Sequence, residues 1–93
     1  MVIGLVVWEV HLPGCRSLKE KRSVVKSLKD RLHNQFNVSV AETAHQDVHR
    51  KAEISACVVS GDQPHVSSVL TALDRFIAND PRLRIVDSYT TYY

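Results

Sequence analysis

Aromatic residues, glycine and cysteine are all scarce in this chain, and each shortage removes a class of function. Six aromatics in 93 residues leave little material for stacking nucleobases. Three glycines, Gly4, Gly14 and Gly61, stand alone, so there is no G-x-G-x-x-G turn and no P-loop to wrap a phosphate chain. Cys15 and Cys57 lie far apart with no C-x-x-C spacing, which fits neither a zinc knuckle nor a disulfide scaffold. They read as reduced structural thiols. Long apolar runs are missing too. The stretch Val2 to Trp8 is interrupted by Gly4 and followed by Glu9 and His11. It falls short of the ~18 apolar residues of a membrane span and lacks the features of a signal peptide. A cytoplasmic protein with no membrane partner is expected.

What is present is basic charge, concentrated in one place. Seven of the twelve Lys and Arg residues lie between Arg16 and Arg31, so the net charge of +2 understates the local field. Ser17 to Phe36 reads as one amphipathic helix. Leu18, Val24, Val25, Leu28, Leu32 and Phe36 share an arc at ~100° per residue. Lys19, Arg22, Lys26, Lys29 and His33 form a stripe beside it. Ser17 followed by Glu20 fits a capping box, with the carboxylate reaching back to the amide of Ser17. Lys21 falls on the apolar arc. Either its ammonium snorkels over the sheet end, or it lines an anion site there.

Alternation of apolar residues marks strands over Val2 to Leu12, Asn37 to Ala44, Ala52 to Ser60 and Leu83 to about Thr91. Gly61-Asp62-Gln63-Pro64 opens a second helix, with a polar cap candidate just before a Pro suited to the first turn, and Asn79-Asp80-Pro81 ends it. The order β-α-β-β-α-β predicts a single α+β domain over residues 1–93. It is the ferredoxin-like sandwich, a four-stranded antiparallel sheet of order 4-1-3-2 with both helices on one face.

This topology gathers the first turns of the basic helix, the connection His45 to Lys51 and the start of the last strand at one end of the sheet. His11, Arg16, Lys19, Lys21, Arg22, His45, His49, Arg50, Lys51, Arg82 and Arg84 collect there. A helix N-terminus adds unpaired amides, and together these are the ingredients of a phosphate site. On the open face, Ile3, Leu5 and Val7 should neighbour Cys57 and Val59, an apolar lower half that a homodimer would bury. The outward positions of the two central strands carry no aromatic, which sets the chain apart from RNA-recognition motifs of the same topology.

Catalytic chemistry is hard to find. His45, Asp47 and His49 form a cluster, with His11, Glu9 or Glu42 as conceivable additional ligands. The segment reads as a loop, without the helical H-E-x-x-H context, so solvated histidines are expected and no metal or cofactor. An enzyme is not expected.

The segments H-L-P-G-C-R-S-L-K-E-K-R, S-L-K-D-R-L and F-N-V-S-V-A-E, with H-Q-D ahead of the third strand, resemble the YlxP-like family of small bacterial proteins of unknown function. The resemblance covers the whole chain. It implies a ferredoxin-like fold, a cytoplasmic bacterial origin and genes placed near those of translation and ribosome-assembly factors. It implies no catalytic residues.

The resulting expectation is a non-catalytic accessory domain that binds RNA or a ribosomal particle. Arg16, Lys19, Arg22, Lys26, Arg50 and Lys51 would supply the charge, with Lys21, His45 and His49 as further members of the edge. The other expectation is a homodimeric interaction module working through Ile3, Leu5, Val7, Cys57 and Val59.

Overall fold

A computed structural model describes residues Met1–Tyr93. The elements run β1 (Val2–His11), α1 (Leu18–Gln35), β2 (Ser39–Ala44), β3 (Lys51–Ser60), α2 (Gln63–Ala78) and β4 (Arg84–Tyr92). The strands form one antiparallel sheet of order β2-β3-β1-β4, the expected order read from the other edge.

The core lies between the sheet and the two helices. Val6, Trp8, Val10 and Leu12 alternate inward along β1, and Ala52, Ile54, Ala56 and Val58 along β3. Against them pack Val25, Leu28 and Leu32 of α1 and Val66, Leu70, Leu73 and Ile77 of α2. Trp8 is fully buried, and its indole N–H donates to Asp74 Oδ1 at 3.0 Å, so the one polar atom of the largest core side chain has a partner. Pro64 lies in the first turn of α2 as expected, but the Asp62 side chain makes no capping bond.

Gly4 stands in the inward series of β1 because α2 crosses it closely. A Cβ there would lie 2.5 Å from Val66 Cγ1 and 3.0 Å from Leu70 Cδ1. Gly4→Ala is therefore expected to overpack the core and lower stability by about 1–3 kcal/mol. A chemical-denaturation midpoint equal to or above wild type would show that α2 moves aside freely.

Candidate functional site: the basic end of the sheet

The helix that carries the basic stripe is anchored at its start. Ser17 accepts from the Glu20 amide at 3.1 Å, as a capping residue does. The Glu20 carboxylate accepts from the amide of Arg16 at 2.6 Å, one residue before the expected Ser17. An acidic side chain thus already occupies the approach to the helix N-terminus. That carboxylate opposes an anion at the helix start, so the charge that would attract one comes from side chains.

Lys21 resolves in neither of the two expected ways. It is the first rung of the buried stripe that continues through Val25, Leu28 and Leu32, and it is 0% exposed. Its ammonium donates to the carbonyls of His45 at 2.5 Å and Val48 at 2.8 Å. Glu42 Oε2 lies 2.7 Å from the same nitrogen, out of hydrogen-bond alignment, so that contact is ionic. The ammonium is buried, with two hydrogen bonds and one ion pair inside the protein. Lys21 is therefore removed from the anion-binding set; it is a brace that fixes the β2–β3 connection to α1.

The connection itself is a tight turn. His45 has φ of 64°, a left-handed conformation uncommon outside Gly, Asn and Asp, and its carbonyl accepts from the Val48 amide at 3.0 Å. Its imidazole Nε2 lies 2.9 Å from Glu9 Oε1 on the open face. His45 is thus engaged by Glu9, and its place in the basic edge is corrected as well. His49 is half-buried without such a partner. No three His, Cys, Asp or Glu side chains gather closely enough to hold a metal ion.

The sheet register sorts the open face into bands. Glu53, Glu9 and Asp87 stand directly opposite one another across β3, β1 and β4. Like charges in such positions repel. His45 offsets this at Glu9, and the Thr43 hydroxyl, bonded to Glu53 and 2.7 Å from Ser55 Oγ, offsets it at Glu53. One row further up, Lys51, His11 and Arg84 stand opposite one another. Arg50 lies beside them, its carbonyl accepting from the Leu12 amide at 2.8 Å. Arg16, Lys19, Arg22, Arg50 and Arg84 are exposed and Lys51 is half-buried, and none of the six forms an ion pair. Lys26, by contrast, pairs with Asp30 at 2.9 Å on the solvated side of α1.

The lower half of the face is apolar, as expected, but less accessible. Val7 is buried by its neighbours, which removes it from any interface. Ile3, Leu5 and Cys57 are half-buried, and only Val59 of the expected set is freely exposed. Tyr89 stands opposite Val7 on the same face.

Behind the basic end, a groove of about 650 Å³ runs between the β1–α1 and α2–β4 connections, lined in part by Cys15, Lys19, Glu20 and Arg82. Burial and the nearby Glu20 push the Cys15 thiol up, which keeps it protonated and poorly nucleophilic. Arg82 is spent: it donates to both Asp80 oxygens, at 3.0 and 2.7 Å, and to Ser27 Oγ at 3.2 Å. It does not join the basic edge.

The Arg82 hydrogen bond holds the Asp80 carboxyl below its ordinary range despite burial, with Arg31 adding to the effect. A depressed folded-state value stabilises the fold above the unfolded-state pKa of ~3.9 and loses that contribution as pH falls through the lower folded value. Between about pH 5 and pH 2 the wild-type melting temperature should fall more steeply than that of Asp80→Asn. Parallel curves would rule the clamp out as an acid-sensitive element.

The sequence profile of a family described as "Protein of unknown function (DUF503)" matches residues 3–90. The chain belongs to this family. The uncharacterized protein YlxP of Bacillus subtilis (strain 168) is 29% identical over 92 residues, spanning 99% of this chain and 100% of that one. Two de novo designed proteins share the fold. Foldit4 has a TM-score of 0.57 at 12% identity over 98% of this chain and 97% of its own. A design made as a ferredoxin fold has a TM-score of 0.53 at 15% identity over 100% and 83%. These similarities show the fold alone, so for this DUF503 domain the functional reading rests on its own residues. Of the residues expected at this end, Arg16, Lys19, Arg22, Arg50 and Lys51 remain unpaired there, and the register sets His11 and Arg84 in one row with Lys51. No helix is long and apolar enough to cross a membrane.

Proposed function

We propose that this domain is a non-catalytic accessory module that binds structured RNA, free or in a ribosomal particle, through phosphate contacts at the basic end of its sheet. The observation that carries the reading is the unpaired row Lys51–His11–Arg84, with Arg50, Arg16, Lys19 and Arg22 around it. Of the cations elsewhere, Lys21, Lys26, Arg31 and Arg82 are held by carboxylates, while Lys29 and Arg75 are also unpaired. The row Glu53–Glu9–Asp87 lays negative charge across the sheet just below. It repels a phosphate backbone from the face, so binding takes the edge and reads shape more than sequence.

Homodimerisation through the open face draws less support, because Val7 is buried and Ile3, Leu5 and Cys57 are only partly accessible. Fluorescence anisotropy with a structured RNA at about 50 mM salt tests the RNA reading. Saturable binding that a polyanion displaces is the expected result. No binding at that salt ends the proposal.

A further inference from the structure

The edge of β4 carries features that the basic end does not explain. Val86, Tyr89, Tyr92 and Tyr93, four large side chains still exposed to solvent, all lie on or beside this strand. Its backbone has a definite polarity. Ile3 and Tyr93 exchange both bonds, the Ile3 amide to Tyr93 oxygen at 3.1 Å and the Tyr93 amide to Ile3 oxygen at 2.8 Å. In an antiparallel ladder such exchanging pairs alternate with non-exchanging ones. The register Leu5 to Thr91 and Val7 to Tyr89 then turns Thr91 and Tyr89 toward β1 as well. Ser88, Thr90 and Tyr92 therefore direct their N–H and C=O groups outward, where the sheet ends.

Natural sheet edges are usually protected by shortness, by lysine or proline, or by a bulge. The other edge, β2, has six residues and a bulge within its pairing. β4 has no Lys, Arg or Pro from Asp87 to Tyr93, and its only register shift lies at its start, beside Val86. Ser88 and Thr90 are exposed on the helix side, so α2 leaves the edge clear.

We propose that β4 pairs antiparallel with β4 of a second copy of this chain, centred on Thr90, joining two four-stranded sheets into one. A two-fold axis normal to the sheet keeps each face on its own side, so residues meet only partners of the same parity. Centred on Thr90, the strand exchanges bonds Thr90 to Thr90 and Ser88 to Tyr92. On the open face Tyr89 meets Thr91 and Asp87 meets Tyr93. No like charges oppose one another, and aromatic with β-branched neighbours is a favourable cross-strand pairing. A centre at Tyr89 would exchange only Ser88 with Thr90 before Tyr92 ran into the bulge at Val86. Self-complementarity in the better register is what selects a second copy over an unrelated strand.

The joined sheet would carry the two basic ends at its opposite ends, with the Arg84 positions about 40 Å apart at ~3.3 Å per residue from each to the axis. The interface follows from the ladder alone and stands or falls independently of RNA binding.

The test is analytical ultracentrifugation of the full chain over a concentration series, with amide exchange followed by NMR. Wild type is expected to dimerise reversibly, with the Ser88, Thr90 and Tyr92 amides exchanging at least about tenfold more slowly when concentrated than when dilute. Thr90→Pro removes an outward donor without touching a bond to β1, and proline is tolerated on edge strands. It should be monomeric with an unchanged circular dichroism spectrum. If it does not fold, Thr90→Lys, which sets two ammonium groups opposite each other, should give the same loss. A wild-type monomer at about 1 mM would overturn the proposal. So would a dimer that survives the Thr90 variants and is broken by Leu5→Lys, since that dimer would use the open face.

Discussion

Lys21→Ala should cost this domain about 3–5 kcal/mol, a large part of the stability of a chain this size. The loss would come from what is left behind. Glu42 would keep a carboxylate that is 14% exposed with no counter-charge, and the His45 and Val48 carbonyls would lose their side-chain donor. Lys21→Met with Glu42→Leu removes both charges and should recover part of the loss, because well-packed apolar replacements of buried pairs are often neutral or better. Recovery should remain incomplete, since the two carbonyls still lack the ammonium. Denaturant titrations of the single and double variants measure this directly. A cost below about 1 kcal/mol for Lys21→Ala would show that the brace contributes little beyond packing.

The second large effect is expected at the basic row. Lys51→Gln with Arg84→Gln should weaken RNA binding by roughly 10- to 100-fold at low salt, nearly uniformly across RNA sequences. Neither side chain is in an ion pair, so the fold should be undisturbed. Lys26→Gln is the control. Its ammonium lies beside Asp30 on the exposed side of α1, and its loss should change affinity several-fold less. Equal losses at Lys26 and at the row would place the binding surface along the whole helix stripe.

The elements, the strand order and most of the core could be read from the sequence because each depends on local period. Trp8 and Ile54 face inward by alternation, and Leu28 and Leu32 by helical spacing. That Ile3 and Leu5 neighbour Cys57 and Val59 was also legible, and the structure gives the register as Ile3 opposite Val59 and Leu5 opposite Cys57. The same register puts Glu9 opposite Glu53, so the acidic row was within reach of that reasoning.

Lys21 was harder. Its spacing placed it on the buried arc, but its main partners are carbonyls of a loop that turns back through a left-handed His45. Glu42, in the inward series with Val40, was the one local signal that two core-side charges could meet. Arg84 depended on the bulge at Val86. Strict alternation from Tyr89 would put Arg84 on the helix side with Ser88, and the register shift returns it to the open face beside His11. A two-residue period cannot announce its own interruption.

The most direct measurement is the salt dependence of RNA binding by wild type and by the Lys51→Gln, Arg84→Gln variant. Phosphate contacts release counterions, so log K against log salt should fall steeply for wild type, and the slope should shrink by about two in the variant. Equal slopes for the two proteins, or a wild-type affinity that ignores salt, would contradict binding through the basic end of the sheet.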